Sequence, residues 1–371
     1  TGSIDTCGST NADFASGSTA IPGATADNPS GLTDWNVRRG WGLRTYNWEF
    51  SMGVQHEVLP RVSVDVAFFR RWFGNFTATD NLAVAPSDFR SFDITTPSDS
   101  RLPGGGGQTV TGFSDFASVA AQTATAINRS VFTDDLNAGQ IEHWNGVDIG
   151  VNARLQNGLL LQGGTSTGRR STNNCGVVAA LPETLGNNAA SFCDQVEPFR
   201  TQLKGVAAYT LPRYSGLPNT MAMIVENIQV SGTFQSIPGD AKTATYSMPQ
   251  VEFQNSTLST LANQPACVGQ VAVGLCNANT KTVALFSPVE VYDERQNQLD
   301  LRVGRILRFG RTRTALNFDI FNVTNANTVL SRNNSFSKTA GNGINNAVNT
   351  LWTPTSLLQA RFFKLSATFD F

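Results

Sequence analysis

Charge is scarce in this chain: only 15% of its 371 residues are charged, against about 25% in ordinary soluble domains. Lys+Arg number 27 and Asp+Glu 28, so there is no basic surplus to neutralise phosphates and no nucleic-acid partner is expected. No apolar run approaches the ~20 residues of a membrane-crossing helix. Residues 1–10 (TGSIDTCGST) have neither the basic start nor the apolar core of a secretory leader. The Glu/Lys/Ala/Leu blocks of amphipathic helices are missing, which argues against a helical bundle. Histidine occurs twice, at His56 and His143, outside any His-Glu-x-x-His metal motif. No Cys-x-x-Cys pair occurs. An enzyme is therefore not expected, and neither is a cofactor.

What the chain does contain is strict alternation. Over 46–58 the even positions read Tyr46, Trp48, Phe50, Met52, Val54, His56 and Val58, and the odd ones Asn47, Glu49, Ser51, Gly53, Gln55 and Glu57. Successive strand side chains point to opposite faces, so this pattern is a strand with one apolar and one polar face. Leu59-Pro60-Arg61 reads as a tight turn. Val62, Val64, Val66 and Phe68 then resume the pattern, completing an antiparallel hairpin. The pattern recurs over 141–155, turns at Asn157-Gly158 and returns through Leu159 and Leu161. A pair around Leu203–Leu211 and Ile228–Phe234 follows, then 298–307 with 316–320, and last 363–371.

Connections within these hairpins are short apart from that over 212–220, whereas those between hairpins are long and polar: about 75–140, 170–199, 237–295 and 324–356. Long loops at one end and short turns at the other are the arrangement of bacterial outer-membrane barrels, whose strands are apolar outward and polar inward. Trp41, Tyr46, Trp48, Trp72, Phe73 and Phe76 lie near the long-loop ends, where an interfacial aromatic girdle would sit. The fold expected is all-β, an antiparallel transmembrane β-barrel with long extracellular loops. The competing reading is a soluble β-sandwich burying its apolar face on a second sheet. Residues 1–44 are expected to be an irregular extracellular segment and 45–371 the barrel strands with their loops.

Several stretches carry a family resemblance. Trp41-Gly-Leu-Arg-Thr-Tyr-Asn-Trp-Glu-Phe50, Gln55-His-Glu-Val-Leu-Pro-Arg-Val-Ser-Val-Asp65, Asn297-Gln-Leu-Asp-Leu-Arg-Val303, Arg305-Ile-Leu-Arg-Phe-Gly-Arg311 and Asp319-Ile-Phe-Asn-Val-Thr-Asn-Ala-Asn327 resemble the C-terminal part of Oar-like TonB-dependent receptor-type outer-membrane proteins. The closing segment 357–371 looks like the last strand of such barrels, which implies that Phe369 and Phe371 serve as the signal read by the barrel-assembly machinery. The resemblance further implies a ~22-stranded barrel when whole, a bacterial outer-membrane location in contact with lipid, and energy-coupled uptake of a ligand. Neither a plug nor a TonB box is found, so TonB could act only through an absent N-terminal region. About nine strands are counted, ten if 100–139 or 270–292 holds another. An odd count would place 1–43 outside the cell and leave a sheet edge for a missing N-terminal half, or another chain, to cover. The alternative function is an extracellular structural or adhesive protein whose β-rich segments associate edge to edge.

Glu49, Asp65, Glu142, Asp148, Arg154, Lys204, Asp300, Arg302, Asp319, Lys364 and Asp370 occupy polar strand positions and are the candidates to face a lumen. Cys175 with Cys193, and Cys267 with Cys276, each share one long loop, which suggests two local disulfides in an oxidising setting. Cys7 is left over. Asp134, Asp135 and Asn137 match no calcium-loop spacing, and Gly104–Gly107 reads as a flexible loop rather than a phosphate cradle.

Overall fold

The structure is a computed structural model that describes residues 41–117, 121, 124–156, 158–185, 190–212, 228–249, 280–309, 312–337 and 350–370. Nine long strands form one antiparallel sheet: β1 (Tyr46–Leu59), β2 (Val62–Gly74), β3 (Ile141–Arg154), β4 (Leu159–Asn173), β5 (Arg200–Thr210), β6 (Ile228–Ile237), β7 (Gln296–Phe309), β8 (Thr312–Phe321) and β9 (Phe362–Asp370). Their spatial order is their chain order, a meander in which every strand pairs with its neighbours in sequence. A short tenth strand, Asp194–Val196, adds to the end of β4. Among the described residues β1 pairs only with β2 and β9 only with β8, so the sheet is open and no closed barrel is formed.

The register follows from the alternation. Met52 stands opposite Phe68, and Val54 opposite Val66; Val66 in turn faces Ile149. A slip of one residue would send these side chains to the other face. The β1–β2 turn is closed by Arg61, whose backbone is left-handed (φ 67°) and whose N–H donates to Glu57 Oε1 at 2.7 Å. Gly158, with φ 87°, supplies the left-handed position before β4, as the Asn-Gly signal requires.

The long connections are not bare loops. Phe89–Thr95 pairs with Thr109–Phe116, Thr77–Asn81 with Asn128–Phe132, and Val329–Arg332 with Pro354–Leu357. Thr245–Pro249 pairs with Thr280–Ala284 and, in parallel, with Ser335–Phe336. The connection after β4 begins at 174 rather than 170, because β4 continues to Asn173. Gly104–Gly107 form a turn with all four φ positive. A Cβ at Gly106 would strike the Pro97 carbonyl, so this backbone path excludes any side chain there.

The main hydrophobic core lies in this cap and not behind the sheet. Phe92, Ile94, Leu102, Val110 and Phe113 from the β2–β3 connection pack with Ala244, Tyr246, Val283, Leu285 and Phe286 from the β6–β7 connection, and with Phe336 and Leu351 from the β8–β9 connection. Phe192, from the β4–β5 connection, packs against them. Trp352 takes a left-handed backbone (φ 59°), unusual for a bulky residue. Its ring meets Phe286 edge-on, and its Nε1–H donates to the Thr243 carbonyl at 2.9 Å. A smaller core of Ala138, Val177 and Leu181 packs the helix Cys175–Ala180 onto the β2–β3 connection.

Candidate functional site

Register sorts the long strands' side chains onto two faces of opposite chemistry. Glu49, Asp65, Glu142, Asp148, Arg154, Lys204, Asp300, Arg302, Asp319, Lys364 and Asp370 all share one face, linked strand to strand through their opposed positions. Strand parity made this placement readable from the sequence. The sheet that carries them is open among the described residues.

On the polar face the charges are largely matched. Arg71 Nε donates to Glu49 Oε2 at 2.9 Å, Arg170 pairs with Glu142 at 2.7 Å, and Arg302 Nε donates to Asp319 Oδ1 at 2.5 Å. Lys364 is the cross-strand neighbour of Asp319, and Asp370 that of Arg313. Sequence reasoning did not single out Arg71 and Arg170, because their partners are fixed by register and not by spacing along the chain. Asp148 Oδ1 is buried and accepts no hydrogen bond from the described residues.

Asp65, Lys204 and Asp300 are brought together with Asn152, Gln162, Gln235 and Gln298 around an open groove of 660 Å³. Its floor is the opposed pair Gly150 and Gly164, and the Asp65 carboxylate lies where a Gly150 side chain would be. Gln235 Nε2 donates to Gln298 Oε1 at 3.0 Å, and Gln298 Nε2 donates to Asp300. The remaining amide and carboxylate groups can hydrogen-bond a polar ligand or a polar protein segment. Arg154 lies instead in a second groove of 690 Å³ at the turn end, with Gln55, Glu57 and Arg61. Trp144, also missed, lies flat on this face over Gly146 and Gly168, where no side chain could be accommodated. The two glycines opposite each other were the available signal.

The other face is apolar and uncovered. Trp48 is 63% exposed, Met52 64%, Val54 70% and Leu365 80%. His56 and His143 both lie on it, paired with Val64 and Trp72. Phe369 is there too, opposite Thr314; Phe371 lies outside the described residues. No three His, Cys, Asp or Glu side chains among the described residues are grouped to hold a metal.

At the loop end, Cys175 and Cys193 form a disulfide with Cα atoms 4.8 Å apart. Cys267, Cys276 and Cys7 lie outside the described residues. The bridge borders a 240 Å³ cavity whose walls include Glu142, Arg170 and Gln195. In the cap, Arg101 donates to Asp99 and holds its carboxyl below the usual carboxylate range, against a weaker opposing effect of burial. Burial pushes Asp80 up, partly offset by Arg129. Burial also raises the Tyr292 phenol, with Glu197 adding to the rise and Arg200 opposing it; the Arg200 guanidinium lies 5.0 Å from the Tyr292 ring centre. No protein-family model and no curated protein matches this chain.

Proposed function

We propose that this sheet is part of the wall of an outer-membrane β-barrel, that the cap is its extracellular side, and that the polar face and cap take part in uptake of a polar ligand. The observation that carries the reading is an inversion. The chain buries a core in its loops while leaving the largest apolar side chains of its strands in the open. A soluble monomer rarely exposes a contiguous apolar surface of that extent, whereas lipid would cover it. A 14-residue strand such as β1 is about 48 Å long. Tilted at about 40° it spans roughly 36 Å, enough for the hydrocarbon layer. The resemblance to TonB-dependent receptor-type proteins supports uptake in particular.

Edges β1 and β9 bear on the same reading. Unpaired backbone groups are strongly disfavoured in lipid, so the proposed wall requires further strands at both edges, from this polypeptide or another. The test is fractionation of source cells followed by washing of the membranes at high pH. The chain is expected in the outer-membrane fraction and released only by detergent, with the cap open to external protease. Recovery in a soluble extracellular fraction without detergent overturns the membrane reading and leaves edge-to-edge assembly as the explanation of the free edges.

A further inference from the structure

The apolar face is not uniformly apolar. Across the nine long strands every carboxylate projects from the polar face, while the apolar face carries three arginines, Arg70, Arg169 and Arg305, and no acid. Two of the three lie in one row across the strands. Phe50 is opposite Arg70, Arg70 opposite Asn145, and Asn145 opposite Arg169; Phe199 is next, with the Arg169 guanidinium 4.7 Å from its ring centre. Both arginines are four residues from the cap end of their strands, Gly74 and Asn173, about 13 Å along the strand.

Neither guanidinium forms an ion pair among the described residues. Arg70 Nη1 donates to Asn145 Oδ1 at 3.1 Å, and Arg169 Nε is buried with no acceptor. Beside Arg70 opens a shallow groove of 570 Å³ formed with Phe50, Trp72, Ile141 and His143. The carboxylate at its border, Glu142, is held by Arg170. Two cations about 10 Å apart, two strand spacings, are bridged by one amide and flanked by aromatic rings. Such a set has donors to spare and a negative ligand to find.

We propose that Arg70 and Arg169 form a binding site for the phosphate headgroup of an anionic lipid, with the acyl chains lying on Phe50, Phe68 and Val147. The inference rests on the membrane reading above. Near the interface a guanidinium on the lipid side is tolerated where at mid-depth it is costly. Its planar fork suits phosphate oxygens, and the aromatic neighbours are those that favour headgroup depth. Charge complementarity and the absence of any acid on this face select an anionic partner. Only a lipid also covers the apolar surface below the arginines.

The experiment uses the full 371-residue chain in phosphatidylcholine vesicles and reads quenching of tryptophan fluorescence by brominated lipids. Trp72 is the cross-strand neighbour of His143 at this site. Brominated phosphatidic acid is expected to outcompete brominated phosphatidylcholine by roughly 30-fold, each cation near the surface contributing about a factor of five. Arg70→Gln with Arg169→Gln should remove the preference, Arg70→Lys with Arg169→Lys should retain part of it, and Arg305→Gln should leave it unchanged. Quenching by both lipids with no preference overturns the headgroup site while leaving the membrane reading intact; quenching by neither overturns the membrane reading itself. A preference abolished by millimolar inorganic phosphate would assign the arginines to a free anion and overturn the lipid. If the double glutamine variant fails to insert, each single variant is expected to lose about fivefold, and no loss in either overturns the site.

Discussion

Val54 and Val66 face each other directly across β1 and β2, yet are 70% and 43% exposed. An opposed pair of β-branched residues normally marks a buried sheet face. Gln55, the next residue, is also exposed but points to the polar side. In water both sites would be ordinary surface, and substitution would change stability by less than about 0.5 kcal/mol. In a bilayer Val54→Arg is expected to cost about 2–4 kcal/mol near mid-depth, whereas Gln55→Arg should stay near neutral. Reversible folding of both variants into vesicles, followed by urea titration, measures the difference.

Asn322 is the joint between sheet and cap. It is 2% exposed and its φ is 52°. Its N–H donates to Asp300 Oδ1 at 2.7 Å, its Nδ2 to the carbonyls of Ala326 and Gln359 at 2.8 Å each, and its Oδ1 accepts from Ala326 N–H at 2.9 Å. Asn322→Ala removes three hydrogen bonds made by a buried side chain, a loss of about 2–3 kcal/mol at roughly 1 kcal/mol each. Asn322→Gly should lose the same hydrogen bonds but avoid the added backbone strain. Thermal unfolding of the variants checks the order: wild type above glycine, glycine above alanine.

The strands were legible where one face is apolar throughout, as in β1 and in Val147, Ile149 and Val151 of β3. The second half of β4 was not, because Thr165, Ser166, Thr167 and Gly168 place small polar groups on both faces and leave no alternation. The cap was hidden for a different reason. Its strands are short and their partners distant: Tyr246 pairs with Phe336 and Ser335 with Thr245, contacts that no local pattern encodes. Parity alone located the eleven polar-face candidates, but register was needed to pair Glu49 with Arg71 and to assemble the Gly150–Gly164 groove. Arg70 and Arg169 stayed unnoticed because each is an isolated charge at an apolar position until three strands are aligned.

The Cys175–Cys193 bridge closes a loop with a separation of 18 residues, so its loss should destabilise the connection by about 3 kcal/mol on the chain-entropy account. Replacing both with Ser is expected to expose residues 175–185 to protease while leaving the long strands' amide protection unchanged. Peptide mapping after limited digestion, with and without reductant, reads the outcome.

Two cap carboxylates respond to acid in opposite senses. Asp99 is held low by Arg101, so its folded pKa lies below its unfolded one. Its contribution is present above the unfolded value and disappears as pH falls through the folded value. Asp80 is raised by burial; its contribution is present below the unfolded value and is lost as pH climbs through the folded one. Acidification should therefore loosen the turn in which Leu102 N–H bonds the Asp99 carbonyl at 3.0 Å and firm the hairpin in which Asp80 opposes Arg129. Amide protection factors corrected for intrinsic exchange should show the two trends, and Asp99→Asn or Asp80→Asn should flatten one each.

Strand alternation detects a slip by one residue but is blind to a slip by two, which preserves every in-and-out assignment. Such an error displaces a strand end by about 6.8 Å. Because all four long connections converge on the same buried cluster, a two-residue error in any hairpin would pull Phe92, Tyr246, Phe336 or Phe192 out of place. The cap thus serves as a vernier for the sheet: it closes only when every hairpin is in its proper register.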